Sequence, residues 1–133
     1  MKSQTNETDN FFQVKNEVVH EYLPIIGATG FTLYSLYKSM ANHELGYIAW
    51  PSYKLIKKYM GLGKSTISCY NWLLQECGLL QIEQYNDHNN YRLVKVNPVT
   101  PELITHLTKV LQPNPQEGII LSQKHRVRFR IVV

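Results

Sequence analysis

The chain of 133 residues is long enough for one compact domain with a modest core, and two domains would be crowded. A hydrophobic content of 44% argues against wholesale disorder, and no apolar run approaches the roughly 20 residues that a membrane span needs. Residues 1–10 are polar and lack the pattern of a secretory signal. We therefore expect a cytoplasmic protein with no membrane partner.

The net charge of +4 is unevenly distributed along the chain. Residues 1–23 hold two basic and four acidic residues, a net charge of −2. Residues 24–97 hold seven basic and four acidic residues, and residues 98–133 hold five basic and two acidic residues, so each of these segments has a net charge of +3. A basic body and tail favour a polyanion partner, because phosphate contacts supply affinity that does not depend on sequence. The alternative is that the net charge of +4 only keeps the protein in solution, and the charge alone does not distinguish the two interpretations.

The first elements are short in the sequence-based prediction. Residues 1–10 are expected to be flexible, and residues 11–14 fit either a short strand or an apolar anchor. Asn16 can cap a short helix over residues 17–23, which Pro24 limits.

A turn over residues 25–30 is predicted to lead into a helix over residues 31–42. That helix would bury four side chains at helical spacing, namely Leu33, Leu36, Tyr37 and Met40. Residues 43–50 form a connection in which residues 47–49 can form a short strand that pairs with a later β-hairpin.

The next helix begins at Pro51 and Ser52, because proline suits the approach to a helix and serine can cap it. Its apolar face is predicted to hold Leu55, Ile56, Tyr59 and Met60. Lys54, Lys57 and Lys58 recur on the opposite face. Gly61 is typical of a helix end in the left-handed conformation, and Leu62 can fill the angle before the following helix.

A second helix is predicted from Lys64 to Cys77, with Gly78 as its stop. Its buried stripe would be Ile67, Tyr70, Leu73, Leu74 and Cys77. The other face would carry Lys64, Ser65, Ser68, Cys69 and Trp72, and the thiol of Cys69 would be exposed there.

Two strand-like segments follow, residues 79–85 and 91–96, around the polar tip of residues 86–90. The order of these elements is a helix, a glycine turn, a second helix and a β-hairpin. It predicts a mainly α fold with a small β-hairpin wing, the winged helix-turn-helix. This α+β device presents one helix to the major groove of DNA.

Several segments also resemble a known family: Trp50-Pro51-Ser52, Gly61 to Ser68, Leu73-Leu74 and Cys77 to Leu80. They resemble the helix-turn-helix domain of bacterial, phage and plasmid replication-initiation proteins, and winged-helix transcription regulators share the pattern. Residues 31–36 resemble the first helix of those domains, so the similarity covers roughly residues 11–96. It implies DNA binding without choosing between replication and transcription. Gly63 departs from the pattern, where a serine or aspartate cap is more usual.

The candidate DNA-binding residues come from the helix pair and the wing. Lysines on the first helix either contact phosphate or face water. Serines near the start of the second helix can reach base edges, and an asparagine on that helix can hydrogen-bond adenine. Little positive charge lies at the tip, so the wing either acts through amide and imidazole groups or serves mainly as structure. The candidates are Lys54, Lys57, Lys58, Lys64, Ser65, Ser68, Cys69, Asn71, Trp72, His88, Asn89 and Arg92.

Beyond the predicted DNA-binding domain at residues 11–97, residues 98–112 form a C-terminal helix capped by Thr100. Its apolar side, Leu103, Ile104, Leu107 and Leu111, would either pack back on the core or pair with a second copy, and we favour a homodimer. Residues 113–133 are predicted to be a linker and a basic, strand-like tail. Basic residues alternate there at Lys124, Arg126, Arg128 and Arg130.

Catalysis has little support in the sequence. The five histidines show no metal-ligand spacing, and no nucleophile with a partnered base can be assembled. Cys69 and Cys77 lie about 12 Å apart along one predicted helix, beyond disulfide reach. We expect no enzyme, no metal and no cofactor. The predicted function is duplex DNA binding in replication initiation or replisome recruitment, with a transcription regulator or a protein-interaction module as alternatives.

Overall fold

The computed structural model describes residues 11–85 and 88–111. A π-helical turn, Val18–Tyr22, runs into α1, Leu23–Met40, and a 3-10 turn, His43–Leu45, precedes β1, Ile48–Ala49. Then come α2, Tyr53–Met60, and α3, Lys64–Glu76, followed by β2, Leu80–Gln84, β3, Asn89–Leu93, and α4, Pro101–Leu111. The described chain is mainly helical, with one small antiparallel sheet. None of its helices is long and apolar enough to cross a membrane.

The first helical region is longer than predicted. Pro24 does not end a helix, because it lies in the first turn of α1, where a missing N–H costs nothing. The predicted turn over residues 25–30 is also wrong. The irregularity is confined to Gly27, whose φ of 75° and ψ of 174° kink the helix. No strand forms over residues 11–14.

The predicted boundaries of α2 and α3 are confirmed. The Oγ of Ser52 accepts the N–H of Leu55 at 3.1 Å, as expected of an N-cap. Gly61 ends α2 with φ 70°, and its N–H bonds the carbonyl of Lys57 at 2.7 Å. Gly63 takes the N-cap position of α3 with no side-chain bond. At the far end, Gly78 has φ 76° and turns the chain into β2.

The strands form one sheet in the order β1-β3-β2. Ala49 pairs with Tyr91, and Tyr91 pairs with Ile82 on the other side, so β3 is the central strand. The strand predicted over residues 47–49 and its pairing with the hairpin are therefore confirmed. The tip is shorter than predicted, because Asn89 and Asn90 already belong to β3.

A buried polar contact joins α1, α3 and the sheet. The hydroxyl of Tyr37 donates to Oδ1 of Asn71 at 2.6 Å, and the ring of Tyr37 stacks on Tyr91 with centroids 4.4 Å apart. Around this contact lie fully buried apolar side chains from every layer, including Leu33, Ile56, Ile67, Leu73, Leu74 and Leu79. Burial raises the pKa of Tyr37 above its ordinary value, so the hydroxyl stays a donor.

The C-terminal helix packs on the same core. Thr100 caps α4 by accepting the N–H of Leu103 at 3.0 Å, as predicted, and Leu107 is completely buried. The preceding segment is held by Glu21, whose carboxylate accepts the N–H of Val99 at 2.8 Å. The described part of the apolar stripe thus packs within one chain, and it no longer argues for a homodimer.

Three expectations lie outside the described residues. They are the flexibility of residues 1–10, the linker and basic tail of residues 113–133, and the contribution of residues 86 and 87 to the wing tip.

Candidate nucleic-acid interface

The helix pair carries a purely basic stretch of sequence. Between Glu44 and Glu76 the chain has four lysines and no acidic residue. All four, Lys54, Lys57, Lys58 and Lys64, are exposed as predicted. Lys57 and Lys58 are in the last turn of α2 and Lys64 is in the first turn of α3, so three of them flank the same three-residue connection. An anionic ligand at this connection would meet several cations, and the carboxylate of Glu76 lies at the opposite end of α3.

Tyr53 connects the two helices at the surface. The ammonium of Lys64 lies 5.0 Å from the centre of the Tyr53 ring, a cation–π contact. The Tyr53 hydroxyl lies 3.2 Å from Oγ of Ser68. Tyr53 has no predicted role, and the predicted buried face of α2 holds Tyr59 instead. That prediction is wrong, because Tyr59 is 65% exposed whereas Tyr53 packs against the core.

The outward face of α3 is narrower than predicted. Its buried residues cover roughly 200° of the helix, at about 100° per residue, because α1 and the sheet both pack against it. Lys64 and Ser65 are exposed on the remaining arc, whereas Ser68 is half-buried beside Tyr53. Gln75, which is absent from the predicted outward face, is also exposed on this arc, and its Oε1 accepts the N–H of Ile82 at 3.3 Å.

Two predicted DNA contacts on α3 are corrected by burial. Cys69 is 2% exposed and Asn71 is 3% exposed, so neither side chain reaches the surface. Asn71 instead accepts the hydroxyl of Tyr37 inside the core. Trp72 is half-buried and packs against the core, in agreement with a packing role at the edge of this face.

The predicted wing residues fall into three different environments. His88 is exposed and stacks on Tyr85, with ring centroids 5.3 Å apart. The side-chain amide of Asn89 donates to the hydroxyl of Tyr91 at 3.3 Å, which turns it towards the sheet. Arg92 is half-exposed and lies 3.7 Å from the carboxylate of Glu83, with which it forms an ion pair at the surface of the sheet.

Sequence reasoning missed two exposed aromatic residues near the wing. Trp50 is 50% exposed and Tyr85 is 51% exposed, and both line a cleft between the start of α2 and the hairpin. Their positions next to Pro51 and at the edge of the polar tip were visible signals. Without the strand register, however, nothing indicated that they lie at one cleft.

The described residues hold no group of acidic, histidine or cysteine side chains that could bind a metal ion. Both cysteines are unpaired and buried, and burial raises the pKa of Cys69 to about 11 and that of Cys77 to about 12. Such thiols are poor nucleophiles at neutral pH, because almost none of either is ionised. The groups that this surface offers to a ligand are ammonium groups, hydroxyls and aromatic faces.

Comparisons with known proteins add no assignment. No protein-family model, curated protein sequence or solved structure matches this chain.

Proposed function

We propose that this chain is a DNA-binding protein with a winged helix-turn-helix, in which α3 enters the major groove and α2 lies along the backbone. The main support is the acid-free stretch between Glu44 and Glu76, whose four lysines are exposed. A helix pair joined by a glycine turn and followed by a β-hairpin is the framework this mode of binding uses, and here the hairpin also pairs with the strand that precedes the helices.

Within this proposal the residues have different roles. Lys54, Lys57 and Lys58 contact phosphates and set the orientation on the duplex. Ser65, exposed in the first turn of α3, reaches base edges, and Lys64 contacts either phosphate or guanine. The biological setting we propose is replication initiation or replisome recruitment in the cytoplasm. Regulation of transcription is the alternative, since the sequence resemblance covers both.

The binding proposal is tested by titrating labelled duplex of random sequence at several salt concentrations. If all four lysines contact phosphate, log Kobs should fall with log salt with a slope of about −3 to −4. A protein-interaction module would show no duplex binding or a flat salt dependence, and would overturn the proposal. Selection of bound sequences from a random duplex library then separates origin repeats from promoter half-sites.

A homodimer remains a separate proposal, because many helix-turn-helix proteins read paired half-sites. Sedimentation of the protein alone and on duplex tests it. A mass of one chain in both samples would exclude the dimer and leave the DNA-binding proposal standing.

A further inference from the structure

A cleft of about 240 Å³ lies between the start of α2 and the β2–β3 hairpin. Five aromatic side chains line it, namely Trp50, Tyr53, Tyr85, His88 and Tyr91. The rings of Tyr85 and His88 are stacked, with an angle of 18° between their planes. Trp50 and Tyr85 are each about half exposed. Single exposed aromatic residues need no explanation, but several around one cleft mark a binding surface.

The size and chemistry of the cleft fit one planar polar ring. Its volume is below the roughly 300 to 1,000 Å³ of clefts that enclose a whole small-molecule ligand. Aromatic faces at the rim provide stacking, which every nucleobase accepts whatever its sequence. Gln84, an exposed lining residue on β2, adds an amide that can hydrogen-bond a base edge.

The charge around the cleft favours an anionic ligand. None of the described residues that line the cleft is acidic. Tyr53 forms part of its wall, and the ammonium of Lys64 lies 5.0 Å from the centre of that ring. The cleft is thus connected through one side chain to Lys64 at the start of α3, where the proposed duplex contacts begin.

We propose that this aromatic cleft binds an unpaired nucleobase, so that the protein prefers a duplex with an adjoining single strand to a blunt duplex. The duplex part rests on the proposed function, whereas the affinity of the cleft for an unpaired base does not. Such a preference would direct the protein to the borders of melted DNA.

The test compares four labelled probes: a blunt duplex, the same duplex with a short single-stranded extension, the same extension built from abasic nucleotides, and the free single strand. The abasic extension keeps the phosphates and removes the bases. Wild-type protein should bind the extension with bases about fivefold or more tightly than the abasic one, the gain expected from stacking one base.

The double variant Trp50→Ala and Tyr85→Ala should lose this difference while its Kd for blunt duplex is unchanged. A matched control, Phe11→Ala and Phe12→Ala, removes two exposed aromatic residues outside the cleft and should keep the difference. Equal binding of both extensions by the wild-type protein would overturn the proposal. So would a cleft variant that retains the preference.

The fluorescence of Trp50 provides a second readout, which uses the wild-type protein and so does not depend on whether a variant folds. The chain has two tryptophans, and the other, Trp72, is half-buried on α3. The extension with bases should quench tryptophan fluorescence more than the abasic one, and equal quenching would overturn the proposal. If blunt duplex does not bind but the free single strand binds through Trp50 and Tyr85, the duplex proposal fails and the cleft proposal stands. If neither probe binds, both fail.

Discussion

Tyr53 lies beneath Lys64, with the ammonium nitrogen 5.0 Å from the centre of the tyrosine ring, so the first turn of α2 positions the first side chain of α3. An unrestrained lysine loses side-chain entropy when it binds phosphate. Because the ammonium of Lys64 already rests on the ring of Tyr53, the lysine side chain occupies fewer rotamers before it binds phosphate and loses less entropy on binding. The same ring forms part of the cleft wall, which gives Tyr53 a role at both proposed DNA-binding features.

Replacing this ring should weaken duplex binding modestly. Tyr53→Leu removes the aromatic face that restricts Lys64, so the lysine should lose about 0.5 to 1 kcal/mol more side-chain entropy on binding, and the Kd for duplex should rise about two- to fivefold. Tyr53→Phe keeps the ring and removes only the hydroxyl near Ser68, so it serves as the matched control. Fluorescence anisotropy measures both, and an equal effect of the two variants would contradict a role for the aromatic face.

The two serines of α3 should differ in their effect on specificity. Ser65 is exposed in the first turn, while Ser68 is half-buried with its Oγ 3.2 Å from the Tyr53 hydroxyl. Ser65→Ala should therefore reduce the free-energy gap between target and random duplex by about 1 to 3 kcal/mol. Ser68→Ala should change it by less than Ser65→Ala does.

Competition titrations with the selected target and a random duplex measure this gap, and thermal unfolding checks that both variants are folded. A Ser65→Ala protein with undiminished sequence preference would show that bases are read by another part of the chain.

The contact between Tyr37 and Asn71 should contribute to stability rather than to DNA binding. Tyr37→Phe leaves a buried amide oxygen without its donor and should lower the free energy of unfolding by about 1 to 3 kcal/mol. Asn71→Ala should cost at least as much, because it also leaves a cavity. Urea unfolding measures both, with the exposed Gln81→Ala as a control expected within about 0.5 kcal/mol. Losses no larger than the control's would contradict a buried, paired hydrogen bond.

How far the sequence predicted this structure depended on whether the signal was local. The caps at Ser52 and Thr100 and the helix ends at Gly61 and Gly78 were predicted correctly, because each is specified by one residue and its immediate backbone. The pairing of residues 47–49 with the hairpin was also predicted, because polar turn residues separate clear strand patterns.

The errors arose where depth of burial decides the outcome. Periodicity gives the direction of a side chain on a helix but not how many neighbours surround that helix. Cys69 and Asn71 were predicted to reach DNA, yet α1 and the sheet cover more than half of the circumference of α3. In α2, which has only eight residues, the choice between Tyr53 and Tyr59 for the buried face could not be made from so few turns.

Stability should fall in alkaline solution, beginning with the two thiols. The pKa of Cys69 is raised to about 11 and that of Cys77 to about 12 from an ordinary value of 9.0, because burial penalises the thiolate. Above pH 9 the unfolded chain therefore loses these protons while the folded chain keeps them. The free energy of unfolding should fall with rising pH, by up to about 1.4 kcal/mol per pH unit for each thiol.

In the double variant Cys69→Ala and Cys77→Ala, the free energy of unfolding should decline less steeply between pH 9 and pH 10. This window lies below the ordinary tyrosine pKa of 10.0, above which the buried tyrosines lower the free energy of unfolding as well. Urea unfolding at several pH values measures the slope, so any constant loss from the smaller side chains cancels. A variant with the wild-type slope would contradict buried, protonated thiols.

The salt dependence of duplex binding by a Lys57→Ala and Lys58→Ala variant tests the DNA-binding account most directly. If both lysines contact phosphate, the variant should bind every duplex more weakly, and its slope of log Kobs against log salt should be shallower by about 2 than that of the wild-type protein. Lys15→Ala with Lys109→Ala removes the same charge from exposed sites outside the helix pair and should leave the slope unchanged. A Lys57 and Lys58 variant with the wild-type slope would contradict the account, because these lysines would then face only water.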